Sequence, residues 1–81
     1  MQNIKLKDSI GSRRIISIYN LLDGYVHHEE ICVKLDIKTD NLKYFLKKMV
    51  KMGIISVSHG RSDSGKFTRS TVEKHLYPYI E

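Results

Sequence analysis

The chain carries a single cysteine, a single proline and no tryptophan among its 81 residues. One cysteine excludes an internal disulfide framework and fits a reducing compartment, so the expected location is cytoplasmic (the host cytoplasm for a viral or plasmid-borne chain). No run of about 18 apolar residues occurs, so no membrane-spanning helix and no membrane partner are expected. The opening M-Q-N-I-K-L-K-D-S-I-G has no continuous apolar stretch and is not expected to be a secretory signal. Gly and Ser cluster only at 58–65, and there is no internal repeat. Also missing are a carboxylate pair, a nucleophile–base pair and a phosphate-cradling glycine loop. So small a core leaves no room for a pocket beside it. An enzyme, a cofactor and a small-molecule effector are therefore not expected.

Acid is scarce as well. Fourteen Lys and Arg stand against nine Asp and Glu, giving a net charge of +5 and a pI near 9.4. A basic balance favours a polyanionic partner, and the placement of the charge matters more than its sum. Lys38, Lys43, Lys47, Lys48 and Lys51 fall within one stretch that holds a single acid, Asp40. A chain of this length forms one domain and buries roughly 60–65% of its extended surface, a marginal core.

Hydrophobic spacing divides that domain. Residues 1–8 alternate at Ile4 and Leu6, which fits a strand or arm as well as a loosely held terminus. Lys5 and Lys7 there are candidates to track a phosphate backbone. Ile15, Ile18, Tyr19 and Leu22 mark the buried face of a helix over 9–22, capped by Ser9 or Ser12 and stopped at Asp23-Gly24. Arg13 and Arg14 sit near its start, against the helix dipole, so they are either solvated or phosphate contacts. Tyr25-Val26 is a candidate short strand. A second helix over 28–35 opens on Glu29 and Glu30 and turns Ile31 and Leu35 inward, with Cys32 beside Ile31 at a tight helix contact. Asp36 occupies a turn that calls for positive φ, and Ile37 plugs it.

Leu42, Leu46 and Met49 give a third helix, 39–52, one clean apolar stripe flanked by Phe45 and Met52. Thr39 is its expected cap and Gly53 its end. Residues 54–69 read as a hairpin, β-branched at Ile54, Ile55 and Val57, with G-R-S-D-S-G as its loop. In the tail, 71–81, Ser70 and Glu73 look like a capping box, with Thr71 as a rival cap, and Val72, Leu76, Tyr79 and Ile80 would line one helical face, with Pro78 ending regular helix at or before Tyr77. That face suits either a second protomer or a fold-back onto the first helix.

Two helices joined by a tight turn, the second basic on one side and apolar on the other, have the form of a helix-turn-helix. The stretch E-E-I-C-V-K-L-D-I-K-T-D-N-L-K-Y-F-L-K-K-M-V-K-M-G-I-I resembles the winged helix-turn-helix of MarR- and ArsR-type regulators. Ile31-Cys32 stand for that pattern's leucine-alanine pair, and Leu35, Asp36 and Ile37 for its leucine, glycine and leucine. Leu42 and Leu46 follow, and Gly53-Ile54-Ile55 make the exit into the wing. The likeness covers about 13–70. It departs at Asp36, at Lys38 in place of a serine-like cap, and in lacking the long flanking helices through which MarR proteins dimerise. It implies an α+β winged-helix fold and sequence-specific binding of double-stranded DNA, usually as a homodimer on a pseudo-palindrome, in transcriptional regulation.

On that reading Lys38, Thr39, Asn41, Lys43, Tyr44 and Lys47 meet bases and nearby phosphates, and Lys48 and Lys51 meet phosphates. Arg61, Lys66 and Arg69 in the wing meet backbone or minor groove. The competing readings are a lysine-rich solvated helix face, a winged-helix adaptor for an acidic protein partner, and an architectural or recombination accessory protein. His28 and Cys32 are four apart, but two ligands do not make a metal site, and Cys32 reads best as a structural thiol.

Overall fold

The computed structural model of the chain describes residues 1–61 and 68–81. Its elements run β1 (Gln2–Lys5), α1 (Ile10–Asn20), α2 (His28–Leu35), α3 (Thr39–Lys51), β2 (Ile55–Arg61), β3 (Thr68–Lys74) and β4 (Leu76–Tyr79). This is a small α+β domain with three helices and an antiparallel hairpin, β2–β3. The G-R-S-D-S-G loop expected at 60–65 lies mostly outside the described residues.

Each helix starts and stops for a local reason. Ser9 caps α1, its hydroxyl accepting from the Ser12 amide at 3.0 Å. The two arginines that face the positive end of α1 both find partners. Arg13 forks onto Asp8 at 2.8 and 3.1 Å, and Arg14 donates to the Leu35 carbonyl at 3.0 Å, tying α1 to the end of α2. Glu29 and Glu30 occupy the first turn of α2, where negative charge is favourable. Asp36 ends α2 in the left-handed conformation, φ 53, as the turn requires, and the Ile37 amide returns to the Cys32 carbonyl at 3.1 Å. Gly53 closes α3 at φ 79. The cap of α3 is a correction: Lys38, extended at φ −80 and ψ 154, takes that place with no side-chain hydrogen bond, and Thr39 is already helical.

The core is the sum of the predicted stripes. Ile15, Ile18, Tyr19 and Leu22 from α1 and its exit meet Ile31 from α2 and Leu42, Leu46 and Met49 from α3, closed by Leu6, Val26, Ile54 and Ile55.

The tail departs from the helix expected over 71–81. Residues 70–78 alternate between less and more exposed at every step, the period of a strand. Val72, Leu76 and Ile80 are four apart, a spacing that fits one face of a helix and also one face of a strand, so it does not decide between them. Ser70 and Glu73 accordingly form no capping box: they lie in β3, opposite His59 and Ser56.

β3 is held on both edges. β2 pairs along it from Ile55↔Lys74 to Arg61↔Thr68. On the other side Tyr25 bridges Thr71, flanked by Val26 N–H to the Ser70 carbonyl (3.0 Å) and Val72 N–H to the Gly24 carbonyl (2.9 Å). The chain then crosses over the Ile54 carbonyl, which accepts from His75 and Leu76, and runs as β4 parallel to β1, Gln2↔Leu76 through Lys5↔Tyr79. Of the two readings of residues 1–8, the strand is the one found, and Lys5 pairs with Glu81 at 2.8 Å. Within the single chain the apolar tail folds back. Val72 and Ile80 pack on the core, Leu76 and Tyr79 are half-buried in β4, and Tyr77 meets Tyr19 edge-on with ring centroids 6.0 Å apart. The Lys74 ammonium sits 4.3 Å over the same Tyr19 ring.

The left-handed turn at Asp36 yields a stability prediction. Asp36→Val is expected to lower the unfolding free energy by about 1–2 kcal/mol, because a β-branched residue resists positive φ. Asp36→Gly is expected to change it by less than about 1 kcal/mol. Urea midpoints measure both. Equal losses would mean that the Asp36 carboxylate, rather than its φ, holds the turn.

Candidate functional site

The apolar stripe of α3 sets everything else on that helix. With Leu42 and Met49 fully buried and Leu46 nearly so, Asn41, Lys43, Tyr44, Lys47, Lys48 and Lys51 are forced outward, and all six are exposed. Helical spacing puts Lys43 and Lys47 on the flank toward β2, Asn41 and Lys48 on the opposite flank, and Asp40, Tyr44 and Lys51 between them. Lys38 and Thr39 stand exposed at the helix start, the Thr39 hydroxyl 4.0 Å from the Cys32 sulfur. The Tyr44 ring is 59% exposed and rests edge-on against Phe45, centroids 5.2 Å apart. It therefore covers Phe45 on the flank of the helix and stays largely open to solvent.

Five lysines share this face with one acid, Asp40, and none of them is ion-paired among the described residues. Among the described residues the ion pairs are Lys5–Glu81, Arg13–Asp8, His27–Asp23 and Lys34–Glu30. None reaches Lys38, Lys43, Lys47, Lys48 or Lys51. The basic residues expected in the hairpin are placed less fully. Arg61 ends β2 opposite Thr68, and Arg69 in β3 lies opposite Gly60. Their side chains, and Lys66 altogether, lie outside the described residues.

Beside the basic face runs a feature that sequence reasoning missed. A groove of about 530 Å³ lies between α3 and the hairpin, lined by Val26, His28, Lys43, Leu46, Lys47, Val50, Val57, His59 and Ser70. The expectation that so small a core leaves no room for a pocket does not hold at this surface. The signal was present in Val50, an apolar residue on the lysine side of α3 and 43% exposed. His28 and His59 approach from α2 and β2, a meeting that no local spacing predicts. The His59 Nδ1 atom lies 2.8 Å from the Ser70 hydroxyl. Burial in the groove wall pushes the His28 imidazole below its ordinary value, and the positive charges of Lys43 and His59 push the same way. Cys32 is half-buried against α3, and no group of three or more metal-ligating side chains occurs among the described residues. None of the described helices is long and apolar enough to cross a membrane.

Comparison of the chain with protein-family models, curated proteins and solved structures finds no match.

His28 gives the site a pH dependence with a definite sign. Its folded-state pKa lies below the ordinary 6.5, so the unfolded chain binds more protons as pH falls through that value. The stability linked to His28 is fully present above about pH 6.5 and is lost as pH falls below it. The carboxyls of Asp8 and Asp23, each lowered by the hydrogen bond from Arg13 and His27 respectively, titrate in a separate and more acidic window. Urea midpoints at pH 7.5 and 5.5 are expected to differ less in His28→Gln than in the parent chain. An unchanged difference would assign the acid sensitivity to another group.

Proposed function

We propose that the chain is a winged helix-turn-helix protein that binds double-stranded DNA sequence-specifically in transcriptional regulation. The observation that carries this reading is the exposed, predominantly lysine face of α3, held outward by a buried stripe. The order of helices, the tight left-handed turn before α3 and the hairpin after it support the same reading. α3 is thirteen residues long, enough to lie in a major groove. Asn41, Lys43, Tyr44 and Lys47 are the residues we assign to base edges and adjacent phosphates, with Lys38 and Thr39 at the entry. Lys48 and Lys51 are assigned to phosphates. Arg61, Lys66 and Arg69 belong, on this reading, to the wing that meets the neighbouring backbone or minor groove.

Homodimer formation stays part of the proposal, but its basis changes. Val72, Leu76, Tyr79 and Ile80 are engaged within the chain's own fold, so a dimer would rest on two-fold DNA sites rather than on a spare apolar helix face.

Selection of preferred duplexes from a random pool at about 150 mM salt tests the whole reading, because weak non-specific binding fades there. An enriched motif is expected. Two inverted half-sites about one helical turn apart would establish the dimer, and a single half-site a monomer. Enrichment of nothing would move the assignment to an architectural protein or an adaptor for an acidic partner. On the enriched site, Asn41→Ala or Lys43→Ala should cost about 1–3 kcal/mol and relax base preference. Arg61→Ala should weaken all duplexes alike and lower the salt slope by about one. Unchanged binding in all three variants would remove α3 and the hairpin from the interface.

A further inference from the structure

The groove beside α3 has two chemically distinct parts. Its floor is aliphatic: Val26 and Leu46 are buried, Val57 is half-buried, and Val50 is exposed at the mouth. Among the described residues no Phe, Tyr or Trp lines it. The rest of its lining is basic or polar: Lys43 and Lys47 on α3, the His28 and His59 imidazoles on α2 and β2, and Ser70 on β3. Among the described residues no acidic side chain lines the groove and no ion pair reaches either lysine. The volume, about 530 Å³, falls within the range of small-ligand sites.

The geometry points to a binding site for a single-chain aliphatic carboxylate, its alkyl tail along Val26, Leu46, Val50 and Val57 and its head between Lys43 and Lys47. A tail without a head leaves the ammonium groups unpaired, and a head without a tail leaves the valine floor in water. An amphiphilic anion satisfies both. The site shares Lys43 and Lys47 with the proposed DNA-binding face, so carboxylate and duplex exclude each other.

The test uses the free chain and needs no DNA. Methyl resonances of Val26, Leu46, Val50 and Val57 are followed during titration with butyrate, hexanoate and octanoate, with acetate and 1-octanol as controls. Saturable shifts confined to those methyls are expected for octanoate. Affinity should rise about two- to fourfold for each added methylene, the gain from burying part or all of a CH₂ group. Acetate should leave the methyls unmoved, and octanol should bind about tenfold or more weakly than octanoate. Lys43→Gln/Lys47→Gln should weaken octanoate about tenfold. Val50→Glu, at an exposed position that the fold tolerates, should abolish it.

Non-saturating shifts, shifts spread over the surface, equal affinity for octanol and octanoate, or full binding by the double variant would each overturn the site. A second measurement adds octanoate to the complex with the selected duplex, and loss of DNA affinity is expected. Failure of the chain to select any duplex would overturn the DNA reading and leave the titration on the free chain as it stands.

Discussion

Burial of one stripe on α3 decides the rest of the molecule. Leu42 and Met49 have no exposed surface, and Leu46 keeps only a few per cent. A helix whose apolar stripe is that narrow and that completely covered cannot rotate without moving large side chains into water, at roughly 1.5–3 kcal/mol for each. The orientation of the lysines is therefore a consequence of the core rather than of anything the lysines do. The neighbouring elements are placed by the same contact. Ile15 and Ile18 from α1, Ile31 from α2 and Ile54 at the exit from α3 surround the stripe, and Ile54 then supplies the carbonyl over which the tail crosses.

The chain ends complete that arrangement. β1 and β4 pair in parallel, and Tyr19 on α1 receives Tyr77 edge-on, the Lys74 ammonium over its face, and donates its hydroxyl hydrogen to Met1 Sδ at 3.5 Å. In a chain this small, terminal residues are a large share of the surface available for covering a core. Leu6, immediately after β1, is itself a core residue, with its amide bonded to the Tyr79 carbonyl at 2.7 Å. Pro78 fits because β4 is an edge strand. Tyr79 turns its backbone toward β1, so Pro78 faces the open side, where its missing N–H breaks no ladder bond.

The helices were legible because their signals are local. Stripes at helical spacing, the glycines at 24 and 53 and the left-handed position at Asp36 each follow from a few neighbouring residues. The outward lysines of α3 followed from the same stripe. The tail was misread because residues four apart satisfy both periods, and β-branched Thr71 and Val72 carry the strand preference that the apparent capping box concealed. Its strand state depends on β2 and β1, both distant in sequence. The groove was not legible for a related reason. Val50 and Val57 belong to α3 and β2 and Val26 to the connection before α2, and only packing brings them together around two histidines.

The placement of the lysines on α3 can be weighed against helix stability alone. Lys43 and Lys47 are four apart, and so are Lys47 and Lys51. Like charges at that spacing oppose helix formation by about 0.2–0.5 kcal/mol for each pair. Lys38, at the N-cap, stands at the positive end of the helix dipole with no side-chain hydrogen bond to the helix. By contrast, α2 uses the same spacing favourably, Glu30 bonding Lys34 at 3.0 Å. Lys48 and Lys51, in the last turn of α3, suit the dipole, so helix stability alone accounts for them. Asp40, three residues before Lys43, offsets part of the repulsion there, but Lys38 and Lys47 have no such account. Negative charge against this face, whether the phosphates of the proposed duplex or the proposed carboxylate in the groove, would offset the repulsion between the lysines.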